Sequence, residues 1–138
     1  MPANNAKYQL PHNIYIQVKA FIRSYPSLQK RYEKASVKKS APSDGMPRGS
    51  KIGDSTASMA IQMAEISKEM DVIYKPLFDV PVFYRDAVWA HLIYRDPFPD
   101  FAAVSTWRRW QYRYIFFVYQ KGLETYGEEF EKKIKKKV

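Results

Sequence analysis

From Ser105 to Tyr126 the chain runs without a proline, and its large apolar residues recur at spacings of three and four. Trp107, Trp110, Tyr114, Phe117 and Val118 fall on one side of a helix, with Ile115 at the border. Ser105 or Thr106 is placed to cap this helix at its start, and Gly127 to stop it. At ~1.5 Å per residue it is a rod of about 33 Å. A rod with so many rings on one flank needs other helices to bury them, which constrains the whole fold. Its other flank carries Arg108, Arg109, Tyr112, Arg113 and Phe116, and no acidic residue stands between Phe101 and Lys121.

The remaining segments supply helices of the required kind. Residues 11–35 place Ile14, Val18, Phe21 and Ile22 at helical spacing, continued by Leu28 and Tyr32. Pro26 predicts a kink or two short helices there. Residues 55–78 read as a helix with Asp54 or Ser55 as N-cap. Ala60, Met63, Ala64, Ile66, Met70, Ile73, Tyr74 and Leu77 form its buried side, and Pro76 bends or ends it. Another helix starts at Val80-Pro81, with Val82, Phe83, Val88, Trp89, Leu92 and Ile93 for the core. Pro97 and Pro99 keep residues 95–103 out of regular helix. Strand alternation is weak throughout, so the expected class is all-α, a small helical protein. Four segments follow: a basic helical segment over 1–35, a flexible Pro/Gly/Ser-rich loop over 36–54, a helical core over 55–126 and a fraying basic tail over 127–138.

The formal charge is +9, unevenly distributed. Residues 1–51 carry a net +8, residues 52–100 a net −4 and residues 101–138 a net +5. Basic ends around an acidic middle imply an acidic partner, most commonly nucleic acid. Cysteine is absent, which excludes disulfides, a thiol nucleophile and cysteine-ligated zinc. Neither a signal-peptide pattern nor an apolar run of membrane-spanning length is present, so the expected location is the cytoplasm, with no membrane partner. His12 and His91 lack ligand spacing, and Asp96 and Asp100 flank prolines as turn residues do. There is no phosphate-binding lysine loop, dinucleotide fingerprint or nucleophile elbow. The expectation is a protein without enzymatic activity, metal or cofactor.

A hydroxyl-capped helix start followed by arginines is suited to pressing against phosphates and base edges. Arg108, Arg109 and Arg113 are placed to read base edges, and Ser105, Thr106 and Tyr112 to bond phosphates. The lysines Lys132, Lys133, Lys135, Lys136 and Lys137 would follow the phosphate backbone. The competing reading pairs Arg108 or Arg109 with Asp96 and Asp100. The partner expected is double-stranded DNA. The apolar run Ile115–Tyr119 exceeds what one face needs and suggests a homodimer. The alternatives are a DNA-packaging protein such as a small terminase subunit, or a protein-binding inhibitor of a host machine using Asp79–Asp100 and the aromatics.

Three stretches carry a resemblance: SAPSDGMPRGSKIGDSTASMA, then VPVFYRDAVWAHLIY, then STWRRWQYRYIFFV. Within residues 25–123, in order and spacing, the chain resembles the RinA/ArpU-like phage regulators, which activate late-gene transcription in phages and prophages of Gram-positive bacteria. The resemblance implies a C-terminal module similar to region 4 of sigma factors, with host RNA polymerase as a further partner. It makes residues 105–122 the recognition helix and residues 82–94 its support. Thr106, Arg108, Arg109 and Arg113 fall on the matching positions. A departure is that RDPFPDFAA stands where a sigma-like helix-turn-helix has its first helix, which reduces that helix to at most one turn.

Overall fold

Prolines set the helix boundaries of this chain. The computed structural model describes residues 7–40 and 49–136, with side chains described over 7–37 and 57–136. Among these residues the protein is all-α, with no strand. The helices are α1 (His12–Arg23), α2 (Tyr25–Ser40), α3 (Gly49–Tyr74), α4 (Val82–Tyr94), α5 (Val104–Tyr126) and α6 (Glu129–Lys135). A 3-10 helix, Lys75–Asp79, joins α3 to α4.

Each expected proline effect takes a definite form. Pro26 lies in the first turn of α2, where its missing N–H costs nothing, so the chain breaks at Ser24 into two helices. The Ser24 amide and hydroxyl both donate to the Phe21 carbonyl, at 3.1 and 2.6 Å. Pro76 ends α3 by tightening the chain into the 3-10 helix. Arg85 holds that turn by donating from Nη2 to the carbonyls of Phe78 and Val80, at 3.2 and 3.0 Å. Pro81 is the N-cap of α4 and lies just outside it.

The chain divides into two units, Met1–Tyr25 with Val72–Val138, and Pro26–Asp71. In the larger unit α5 is the hub, touching α1, α4, α6 and the 3-10 helix. Its ring-bearing flank is buried as the spacing predicts: Trp107, Tyr114, Ile115 and Val118 have no exposure, while Trp110 and Phe117 are half-buried. Val18, Phe21 and Ile22 of α1 and Val88 and Leu92 of α4 complete that core with Phe130 and Ile134 of α6. In the smaller unit Leu28, Ala35 and Ile66 are buried and Val37 and Ile61 are exposed.

Several expectations are corrected. Val82 and Phe83 are exposed rather than core, because α4 turns only its Val88–Leu92 side inward. Ala60 and Ala64 are exposed, and Tyr74 is 40% exposed with its ring set against Tyr25, Phe78 and Trp89. The segment over 36–54 is entered by helix from both sides, since α2 runs to Ser40 and α3 starts at Gly49. Nothing in Ser36–Ser40 breaks a helix, and an amphipathic helix as long as α3 tolerates the glycine at 53 at about 1 kcal/mol. Asp54 and Ser55 are therefore interior to α3 and not its N-cap. Most of the DGMPRG motif lies outside the described residues.

The tail is also not frayed as far as Lys135. It forms α6, seated by Phe130 and Ile134, both fully buried. Phe130 packs edge-on to Phe21 at 5.5 Å and parallel to Tyr126 at 6.2 Å. Its ring lies directly on Gly122, in the space that a Cβ would occupy. Gly127, at φ 62°, makes the reversal between α5 and α6 and donates its amide to Leu123 at 2.8 Å. Gly122→Ala is therefore expected to force the buried Phe130 ring out of place and to destabilise by about 1–3 kcal/mol. A thermal melt checks this, and an unchanged midpoint would contradict the packing.

The buried phenol of Tyr114 donates to the Ile73 carbonyl at 2.6 Å. That carbonyl belongs to the last turn of α3, where intrahelical donors run out. Burial pushes the Tyr114 phenol well above its ordinary value, and burial with the bond to Glu131 pushes Tyr119 up to about 12. Unfolded tyrosines ionise near 10. Below that value both states are protonated and the stabilisation is complete. As pH rises past it, the unfolded state releases its protons first and the stabilisation is lost. The melting temperature is expected to fall between about pH 10 and 12, and Tyr114→Phe to blunt the fall. The same substitution is expected to cost about 1 kcal/mol at neutral pH through the lost hydrogen bond. A flat profile in wild type would contradict the burial of these phenols.

Candidate nucleic-acid interface

The cap of α5 lies two or three residues before the expected Ser105 or Thr106. Ala103 is the N-cap, with extended backbone, and its carbonyl accepts from Thr106 and Trp107 at 2.9 and 3.2 Å. No side chain caps the helix. Ser105 and Thr106 are therefore inside the first turn, and their hydroxyls are not used in capping. Ser105 is exposed and Thr106 half-buried.

The connector over 95–103 holds no helix. At nine residues it is longer than the 3–4-residue turn of a helix-turn-helix. Rings fix it instead. Phe98 stacks on Trp107 at 5.4 Å and on His91 at 3.8 Å. Trp107 Nε1 donates to the Pro99 carbonyl at 2.8 Å. His91 Nδ1 lies 2.8 Å from the Asp96 carbonyl, a contact that requires the proton on that nitrogen. The connector thus packs α4 and the start of α5 into one piece, and α4 touches α5.

Arg108 is exposed and Arg109 half-buried. Among the described residues no carboxylate pairs with either, nor with Lys19, Arg23 or Arg95. The alternative pairing of Arg108 or Arg109 with Asp96 or Asp100 is not formed. Tyr112 is 45% exposed and stacks on Tyr15 of α1 at 4.7 Å. Buried Gln111 donates to the Tyr15 hydroxyl at 3.1 Å, which holds this ring pair in register with α5.

Arg113 is placed differently from its neighbours. Its guanidinium lies over Tyr8 at 4.7 Å and Trp110 at 5.0 Å, with a buried Nε that has no hydrogen-bond partner. The ring contacts make Arg113 a clasp for the N-terminal segment, and only its outer nitrogens can serve a ligand. Tyr8 also packs edge-on to Phe116 and Phe117, at 5.5 and 5.8 Å. Ile115 and Val118 are buried, and Tyr119 bonds Glu131 of α6 at 2.7 Å. The run Ile115–Tyr119 is thus occupied within the chain, which removes the reason for expecting a dimer through it.

The lysines of the tail are not beside these arginines. α6 packs on the far end of α5, around Gly122, about 20 Å along the helix from Arg109. Lys132 meets Glu129 at 3.5 Å, both exposed, and Lys133 lies over the Tyr126 ring at 5.1 Å. Lys135 and Lys136 are exposed. Lys137 lies outside the described residues.

The helix start is joined instead by residues that spacing alone does not single out. An open groove of about 430 Å³ is lined by Tyr15, Lys19, His91, Phe98, Arg108 and Tyr112, among others. Lys19 also borders a second groove with Arg23 and Arg95. Lys19 and Arg23 are one turn apart on α1, a signal visible in sequence, but only the fold shows that α1 lies against α5. Arg95 gives no such signal, because its position depends on a backbone at φ 62°.

The sequence matches no protein-family model and no curated protein, and the structure matches no solved structure. No helix among the described residues is long and apolar enough to cross a membrane.

Proposed function

We propose that this protein is a DNA-binding transcription regulator of phage or prophage origin, an activator of late genes that works in the bacterial cytoplasm. It binds promoter DNA through the start of α5. One observation carries the reading. Arg108 and Arg109 stand in the first two turns of a helix whose opposite flank is buried, and no carboxylate neutralises them among the described residues. Helices that enter the major groove contact bases through such turns. Ser105, Thr106 and Tyr112 add hydroxyls for phosphate. The resemblance to the RinA/ArpU-like regulators supports the same assignment, with α4 as support for α5.

A second contact face supports host RNA polymerase as partner. Val82, Phe83 and Phe101 are 76%, 67% and 53% exposed, and the two phenylalanine rings meet edge-on at 4.9 Å. Exposed clustered rings favour protein contacts. The same face favours an inhibitor of a host machine, which would ignore duplex DNA.

Selecting bound fragments from random duplex DNA tests the reading. A single enriched motif is expected. Retention without sequence preference, or no retention, would overturn it.

A further inference from the structure

We propose that Lys19, Arg23 and Arg95 form a phosphate clamp on the α1–α4–α5 face, beside the base-reading Arg108. It takes phosphate groups, which under the nucleic-acid reading above are those of successive nucleotides beside the bases met by α5. The clamp rests on that reading for its ligand and adds three cations from outside α5.

Lys19 is shared by two adjoining open grooves, one containing Arg108 and the other Arg23 and Arg95. The four cations therefore line two grooves that meet at Lys19. No carboxylate pairs with any of them among the described residues. Like charges held together are unfavourable, and the groups register it. Partial burial first, then Arg23 and Arg95, lower the affinity of Lys19 for its proton. Partial burial and then Arg95 do the same to Arg23. A bound polyanion would relieve that repulsion.

Two backbone features hold the cluster in place. Arg23 donates from Nε to the Leu92 carbonyl at 2.9 Å, which fixes the guanidinium while its two terminal nitrogens have no acceptor among the described residues. Arg95 ends α4 in the left-handed conformation, at φ 62°. Glycine is the usual residue there, and a long side chain such as arginine costs about 1–2 kcal/mol. An arginine at this position puts a strained backbone to use by adding a charge to the cluster. The groove beside Lys19 also holds the Tyr15–Tyr112 and His91–Phe98 ring pairs, which suit sugar and base. That favours nucleotide phosphates over a free inorganic ion.

The test compares wild type with Lys19→Ala/Arg95→Gly. Glycine keeps the left-handed turn without strain, so the variant is expected to melt no lower than wild type. If it does not fold, Lys19→Gln with Arg95→Asn replaces it, since asparagine also tolerates this backbone. Affinity for duplex DNA is measured by fluorescence anisotropy over a range of salt. Losing two phosphate contacts lowers the slope of log affinity against log salt by about 1.8, with the preference for the selected motif retained. Equal slopes would overturn the clamp while leaving DNA binding by α5 standing. A parallel arm adds inorganic tripolyphosphate at matched ionic strength and reads the melting temperature. A rise in wild type that the variant lacks, without duplex binding by wild type, would keep the clamp and sink the DNA reading. Neither duplex binding nor a tripolyphosphate response would overturn both.

Discussion

Arg108→Ala/Arg109→Ala is expected to lose sequence-dependent duplex binding while the helical circular-dichroism signal stays unchanged. Neither guanidinium has a carboxylate partner among the described residues, so the fold does not depend on them. A bidentate arginine–guanine contact gives about 1–3 kcal/mol of discrimination, so two are worth about 2–6 kcal/mol. Affinity for the selected motif should fall roughly 30-fold or more, toward the level of a random duplex. The comparison of motif with random sequence matters more than absolute affinity, because Lys19, Arg23 and Arg95 would still supply phosphate contacts. An unchanged preference for the motif would mean that another surface reads the bases.

Trp107→Ala is expected to act in the opposite way, on the fold rather than on the ligand. The ring is fully buried, stacks on Phe98 and meets Tyr84 edge-on at 5.3 Å. It also holds the connector through the Pro99 carbonyl. Truncating a buried tryptophan costs about 3–5 kcal/mol. Against a typical total of about 5–15 kcal/mol, that is enough to lower the melting temperature steeply. A variant that melted like wild type but no longer bound DNA would make Trp107 a reader and the connector independent of it.

Much of this architecture was legible from residue types and spacing. The stripe from Trp107 to Val118 is the core flank of α5, and the arginine flank lacks ion pairs among the described residues. Pro26 and Pro76 act where expected, because a proline constrains the backbone whatever surrounds it. What escaped the spacing argument depends on contacts distant in sequence. The tail looks like a charge block, yet Phe130 and Ile134 seat it, and Gly122 leaves room for the Phe130 ring. Arg113 sits on the outward flank by spacing, but Tyr8 folds over it. Ser105 and Thr106 have the chemistry of caps, but Ala103 already accepts the first helical hydrogen bonds. The site shows the same division. The sequence marks the α5 arginines, whereas Lys19, Arg23 and Arg95 join them only through the packing of α1 and the left-handed turn after α4.

The most direct measurement is a titration of isotope-labelled protein with the selected duplex, followed by backbone amide shifts. The largest changes are expected over Ser105–Arg113 and around Lys19 and Arg95. Changes centred on Val82, Phe83 and Phe101, with α5 and α1 silent, would contradict the assignment of the cationic face to DNA.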